Sequence, residues 1–190
     1  SVRDEASVWR VMPGAVRESP AQHRTGPDSR EMTGEKLVSL HITIPELKGM
    51  LPGVATQVST AFWVRLAEFV LARADAFEVV CQREDTSAIK LLMPLAETIE
   101  RRHEDGALMF WGTVTPLVTR ALVRGHGSGH ESLWWWQMVL TSDGSRVFEL
   151  SGYGEHMELF GLTDEEARSV LDLVPFSART LRTVEDGGDR

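Results

Sequence analysis

The feature that most constrains the fold is a pair of apolar segments joined by Asp143-Gly144. Asp-Gly tolerates the positive φ angles of a tight two-residue turn, so residues 133–140 and 146–150 are predicted to form a β-hairpin. The predicted register pairs Leu140 with Val147, Val139 with Phe148, Met138 with Glu149 and Gln137 with Leu150.

Three consecutive tryptophans open the first strand of this hairpin. Because side chains alternate along a strand, Trp134 and Trp136 are predicted to share a face with Met138 and Leu140, and Trp135 to lie on the other face. Both faces would then be apolar, so a helix, a second sheet, a ligand or a partner must cover each of them. We expect the aromatic face with Trp134 and Trp136 to contact a partner.

Other periodic segments extend the hairpin into an α+β domain. In residues 38–44 apolar and polar side chains alternate, as in a half-buried strand. In residues 55–74 apolar side chains recur every three or four positions, as in an amphipathic helix, with Trp63 at the edge of the apolar stripe. Thr163 to Glu166 form a capping box ahead of a C-terminal helix. We predict a mainly antiparallel sheet of about six to eight strands, packed by a long N-terminal-half helix and a C-terminal helix. The remaining predicted elements are strands at 76–82, 88–93, 107–114, 117–124 and 157–160, a short helix at 94–103, and coil or a helical turn at 176–181.

Residues 1–34 are predicted to be an extended arm. They contain three prolines, three glycines and five arginines, a composition that does not build a core of its own. An apolar segment within this arm is expected to dock on a partner or on a second subunit through Val8, Trp9, Val11 and Met12. Residues 35–183 are predicted to form a single α+β domain, and residues 184–190 a polar tail.

Composition excludes some classes of function. The net charge of −8 argues against a nucleic-acid ligand, because phosphates need a basic surface. No apolar run of about 18 residues is present, and the first residues lack the pattern of a signal peptide, so we expect no membrane span and a cytoplasmic location. The single cysteine, Cys81, is in phase with Phe77 and Val79 and is expected to be a packed thiol rather than a nucleophile.

A glycine-rich loop from Gly125 to Glu131 is the strongest candidate for a metal site. His126 and His130 are four residues apart, but the glycines between them disfavour the helix that makes this spacing useful in zinc enzymes. They would have to converge as loop ligands with a third residue. We take His156 as the third ligand, and His103, Glu131 and Glu155 are alternatives.

Two further residues could carry chemistry. Glu149, on the predicted face of Trp134 and Trp136, would suit a general acid or base if apolar side chains surround it, whereas at a sheet edge it would reach water. The hydroxyl of Tyr153 is expected to hold a neighbouring loop. The sequence contains no nucleophile elbow, phosphate loop or dinucleotide fingerprint.

These observations predict a non-catalytic protein-binding or accessory module of the chaperone, adaptor or inhibitor type. It would use the aromatic hairpin face and the N-terminal arm, need no cofactor, and bind a protein partner or form a homo-oligomer. Two alternatives stay open. One is a metal-dependent enzyme or zinc-binding protein that uses the His126 and His130 loop, and the other is a small-ligand-binding domain with a tryptophan-lined pocket.

Overall fold

The computed structural model describes residues 36–44, 60–125 and 133–184, and these contain eight strands and four helices. The strands are β1 (Val38–Thr43), β2 (Ala76–Cys81), β3 (Thr98–Arg101), β4 (Leu108–Thr113), β5 (Gln137–Ser142), β6 (Ser145–Ser151), β7 (His156–Leu162) and β8 (Arg179–Val184). The helices are α1 (Thr60–Leu71), α2 (Thr86–Leu92), α3 (Pro116–Val123) and α4 (Asp164–Leu171).

All eight strands belong to one open sheet with the order β3-β4-β2-β5-β6-β7-β1-β8. Every neighbouring pair is antiparallel. The prediction of an α+β fold with a mainly antiparallel sheet is therefore confirmed. Among the residues that the structure describes, no helix is long and apolar enough to cross a bilayer.

The two faces of the sheet differ in what covers them. One face, here called the helical face, buries apolar side chains of β4, β2, β5, β6, β7 and β1. These side chains and the buried side chains of the helices form a single core. Trp63 of α1 is fully buried in this core, where its Nε1 donates to the Leu122 carbonyl of α3 at 3.2 Å, so its predicted place at the edge of the stripe is wrong. The opposite face, here called the open face, carries mostly half-buried or exposed side chains.

The predicted hairpin and its turn are confirmed, but the predicted register is wrong by one residue. Asp143 and Gly144 have φ angles of 49° and 75°, as the tight turn requires. Past the turn, the pairing shifts between Leu140 and Thr141, so Leu140 lies opposite Phe148 rather than Val147. The same shift pairs Met138 with Leu150. This bulge brings the apolar side chains of both strands to the helical face, which the unbroken register would not do.

The prediction that Trp134 and Trp136 continue the face of Met138 is also wrong, because β5 begins only at Gln137. In the irregular segment before it, Trp135 is fully buried in the same core as Met138, whereas Trp134 and Trp136 are half-buried. The Trp135 indole packs so closely on Gly125 that a Cβ there would overlap Cζ2 and Cε2 and lie 2.6 Å from Nε1. That Nε1 has no hydrogen-bond partner in the part of the chain that the structure describes.

Four predicted elements differ from the structure. Residues 88–93, predicted as a strand, lie in α2 and its C-cap Met93. Residues 117–124, also predicted as a strand, lie in α3 and its C-cap Arg124, and Thr115 caps the start of this helix by accepting from Val118 N–H at 3.3 Å. The predicted helix at 94–103 contains the edge strand β3, and the predicted coil at 176–181 runs into the edge strand β8. Edge strands with exposed side chains lack the alternating apolar pattern that marks a half-buried strand.

Two helix predictions agree with the structure. The capping box is confirmed, because Glu166 N–H donates to Thr163 Oγ1 at 3.2 Å and Thr163 N–H donates to Glu166 Oε2 at 2.8 Å. Helix α1 lies within the predicted 55–74, whose first residues fall outside the described ranges. Just after α1, Arg73 donates to the carbonyls of Phe160 and Gly161 at 3.2 and 2.7 Å, which ties this helix to β7.

Candidate functional site

The candidate site is a row of side chains that crosses the open face. Each of the eight strands contributes one residue, and each residue lies directly opposite the next in the register of neighbouring strands. Because directly opposed residues share a face, the whole row projects from the open side of the sheet. In order from β3 to β8, this open-face row is Thr98, Trp111, Glu78, Val139, Glu149, Glu158, His41 and Leu181.

Three carboxylates give the row its negative charge. Glu78 accepts a hydrogen bond from Trp111 Nε1 at 2.8 Å, which orients both side chains. Glu149 accepts from Arg146 Nη1 at 2.8 Å, and its side chain is 37% exposed. Glu149 also lies directly opposite Glu158, and such a like-charged cross-strand pair destabilises the isolated sheet. Arg146 already offsets part of this repulsion, and a further cation brought to Glu158 would offset more of it.

A shallow depression of about 270 Å³ lies in the middle of the row. Glu78 and Glu149 stand on either side of it, and Val80 and Val139 supply apolar surface between them. Gln137 and Arg146 add hydrogen-bonding groups, and Met138 completes the lining. The depression combines charged and apolar surface, and its volume lies just below the range of about 300–1,000 Å³ that is typical of small-molecule sites.

A second polar group on the open face surrounds His156, the first residue of β7. Its ring centroid lies 6.0 Å from that of His41, and its Nε2 lies 3.7 Å from Glu155 Oε1. The His156 side chain is 46% exposed. Within the described ranges, no three His, Cys, Asp or Glu side chains are arranged to hold a metal ion. Because His126 and His130 lie outside those ranges, the zinc site stays a prediction.

Trp136 and Tyr153 form an aromatic contact at one end of the sheet. The Trp136 ring meets the Tyr153 ring edge-on at 5.2 Å, and Tyr153 OH donates to Asp85 Oδ2 at 3.2 Å. Asp85 also accepts from Gln82 N–H at 2.8 Å. Tyr153 has φ 56°, a strained conformation for a non-glycine residue. These contacts hold the turn after β2 against the turn after β6, the role predicted for the Tyr153 hydroxyl.

Burial shifts the protonation of this sheet-end group. It raises the pKa of the Asp85 carboxyl above its usual value, although the hydrogen bonds from Gln82 and Tyr153 act in the opposite direction. Burial and the neighbouring Asp85 carboxylate raise the pKa of the Cys81 thiol to about 12. The same two causes raise the pKa of the Tyr153 hydroxyl. Cys81 is fully buried, and the prediction of a packed thiol is confirmed.

The remaining predicted site residues divide into three groups. Those of the arm, Val8, Trp9, Val11 and Met12, lie outside the described residues. Trp134 and Trp136 are each half-buried, and their backbone N–H groups donate to the carbonyls of Gly125 at 3.0 Å and Val80 at 3.1 Å. The predicted pairing of Glu149 with Met138 is wrong, because the bulge in the hairpin turns Glu149 to the open face, opposite Val139.

Sequence reasoning missed Glu78, Trp111 and Glu158. The alternation of Glu78 with the buried Phe77 and Val79 indicates that it points away from the core. The residues that lie beside Glu78, by contrast, depend on β2 lying between β4 and β5, which is a property of the whole sheet.

Comparison with protein-family models, with curated proteins and with solved structures found no match to this chain.

Proposed function

We propose that this protein is a non-catalytic protein-binding module whose open face binds a basic segment of a partner. The observation that carries the proposal is the open-face row, in which Glu78, Glu149 and Glu158 project from a sheet face that no described helix covers. Charge complementarity selects a segment rich in lysine or arginine. The net charge of −8 would speed the encounter with such a partner by electrostatic steering.

The apolar members of the row add contact area to this charge. Trp111 and Val139 stand on either side of Glu78, so a partner that presents both cations and apolar side chains matches the row better than a uniformly basic one. Tryptophan is enriched among the residues that dominate binding energy at protein interfaces. Trp134, Trp136 and the predicted arm are proposed as additional contacts that a larger partner would use.

A defined peptide tests the proposal in the absence of the natural partner. The probe is a synthetic peptide of alternating lysine and valine, and the matching peptide of glutamate and valine serves as its control. NMR chemical-shift changes on titration with the lysine peptide are expected at Glu78, Val139, Glu149 and Glu158. Shifts confined to the helices, or equal affinity for both peptides, would overturn the proposal.

A triple variant measures the contribution of the carboxylates. Glu78→Gln, Glu149→Gln and Glu158→Gln together remove three charges that each contribute about 0.2–1 kcal/mol to an exposed ion pair. Peptide affinity should therefore fall by about 3- to 150-fold. The matched control changes the net charge equally away from the open face, at three exposed positions: Glu68→Gln on α1, Glu165→Gln on α4 and Asp172→Asn at the C-cap of α4. An equal loss in both variants would show that net charge, rather than the open-face row, attracts the peptide.

A further inference from the structure

The outer edge of β8 is a surface distinct from the three carboxylates of the open-face row. Within the described residues β8 pairs only with β1, and all six of its side chains are exposed. Leu181 is 62% exposed on the open face, and Val184 is 54% exposed on the helical face. The edge therefore combines backbone N–H and C=O groups that pair with no other described strand with apolar side chains, which favours the addition of another strand.

The features that usually protect an edge strand are weak in β8. The strand contains no proline, and its six-residue register with β1 has no bulge. It carries Arg179 and Arg182, but the Arg182 guanidinium is paired with the Asp164 carboxylate of α4. The opposite edge is better protected, because β3 has only four residues and two of them are charged.

We propose that two copies of this chain form a dimer by antiparallel pairing of their β8 edges about a two-fold axis at Leu181. A two-fold axis perpendicular to the sheet keeps the open faces of both copies on the same side, so each residue lies opposite a residue whose side chain points to the same face. This pairing is possible only when the axis passes through a residue and not between two residues. A centre at Arg182 would place two arginines directly opposite each other, which is unfavourable. A centre at Leu181 buries the two leucines against each other and pairs each Arg182 with Thr180, and each Arg179 with Thr183, of the other copy.

This axis also aligns the two binding surfaces. Leu181 is the last member of the open-face row, so the rows of the two copies meet end to end in one sheet of sixteen strands, twice the eight of each copy. The dimer itself follows from the edge alone, but its value for binding rests on the proposed function. A partner with two basic segments would then bind both copies with an affinity raised by the effective concentration of the second site.

The oligomeric state of the full chain tests the dimer directly. Sedimentation equilibrium over a range of concentrations should give twice the chain mass of 21.2 kDa for the wild type. Leu181→Lys places two cations on the axis and should give the monomer mass. The matched control is Ile99→Lys on the β3 edge, at a residue that is 40% exposed, and it should leave the dimer intact. A wild-type protein that is monomeric at every concentration would overturn the proposal.

A cysteine cross-link tests the register. Opposed residues of antiparallel strands have Cα atoms about 4.5–5.5 Å apart, within disulfide range, so Leu181→Cys should give a covalent dimer on oxidation. Thr183→Cys is the control, because its two copies would lie about 13 Å apart, about four residues along the strand. The native Cys81 is 0% exposed and does not compete. Equal cross-linking of both variants would exclude the Leu181 axis.

Separate measurements test the dimer and the proposed peptide-binding face: the molecular mass tests the dimer, and the peptide affinity tests the binding face. The triple glutamine variant of the open face should lose peptide affinity and remain a dimer. Thr180→Arg lies on the helical face, outside the open-face row, and places an arginine opposite Arg182 of the other copy. It should become a monomer and keep its affinity for a single short lysine-valine peptide. A monomeric wild type whose peptide shifts still map to the open face would refute the dimer and leave the proposed function standing.

Discussion

Replacing Gly125 with alanine is expected to destabilise the fold through a single steric contact. Gly125 does not have a positive φ angle, so alanine brings no backbone strain there. The new methyl group would overlap the Trp135 ring and lie 2.6 Å from its Nε1. Trp135 is 0% exposed and belongs to the main core, where close packing limits the movement of its indole.

The expected magnitude follows from this geometry. Adding a methyl group to a packed core destabilises a protein by about 1–3 kcal/mol, because neighbouring side chains are forced from their preferred rotamers. We expect the upper half of this range, since two ring atoms overlap the methyl rather than one flexible chain end. For a chain of this length, each kcal/mol lowers the melting temperature by about 2–4 °C, so Gly125→Ala should melt about 4–12 °C below the wild type.

A double-mutant cycle shows whether Trp135 is the cause. Trp135→Phe removes the Nε1 and Cζ2 atoms that the methyl would meet, so Gly125→Ala should be less destabilising by about 0.5–3 kcal/mol when it is combined with Trp135→Phe. Trp135→Phe also removes a buried N–H that lacks a partner among the described residues, which offsets part of the lost packing. Urea denaturation followed by circular dichroism measures all four proteins. Additive effects of the two substitutions would refute the steric explanation.

Three further predictions concern the sheet-end carboxylate, the hairpin turn and the N-terminal residues. Burial raises the pKa of Asp85, so the native state binds its proton more tightly than the unfolded chain does, and stability is lost as the pH rises from the ordinary carboxyl pKa to the raised one. Asp85→Asn should therefore have a higher urea midpoint than the wild type at neutral pH and an equal one well below the ordinary carboxyl pKa; a lower midpoint at neutral pH would contradict this. Gly144→Val should lower stability by about 1–3 kcal/mol through strain at φ 75° alone, since no atom lies within 4 Å of the added Cβ, and Gly144→Asn should be milder because asparagine tolerates this conformation. Deleting residues 1–31 should preserve the circular dichroism spectrum while changing self-association or partner affinity, and Trp9→Ala should reproduce most of that change; a truncated chain that does not fold would show that these residues belong to the core.

The elements that could be predicted from the sequence are those fixed by local interactions. Asp143-Gly144 determines a tight turn without help from the rest of the chain, and the Thr163 and Glu166 pair satisfies the first N–H groups of its own helix. Strand β1 is recognisable because its apolar side chains, Val38, Leu40 and Ile42, alternate along the strand and are buried on a single face. In each of these cases the signal and the structure it determines lie within a few residues of each other.

Short apolar segments were misassigned because their length suits both a strand and a helix. In residues 88–93 the alternation of Ile89, Leu91 and Met93 suggested a strand, but the buried residues are Ala88 and Leu92, four positions apart on one side of α2. Thr115 and Pro116 form a favourable helix start that the strand prediction for 117–124 overlooked. The helix at 117–124 therefore carries a local start signal, whereas the helix at 88–93 is distinguished by the side chains that it buries.

The open-face row could not have been predicted in the same way. Glu78 and Glu149 are brought to either side of Val139 by the strand order, and the bulge in the hairpin decides that Glu149 is on this face at all. A shift of one residue would have turned Glu149 to the core. The composition of a surface assembled across eight strands therefore depends on every register between them.

The position of β1 between β7 and β8 affects how the protein is made. β1 ends at Thr43, yet its two described neighbours begin at His156 and Arg179. More than half of the 190 residues lie between β1 and the first of these neighbours, so both neighbours are synthesised long after β1. During that time the apolar side chains of Leu40 and Ile42 in the nascent chain lack the strands with which they pair in the described structure. Closing so long a loop is slow, and the waiting strand is prone to aggregation. The sheet is therefore completed late, and chaperone binding to the nascent chain should concentrate on β1.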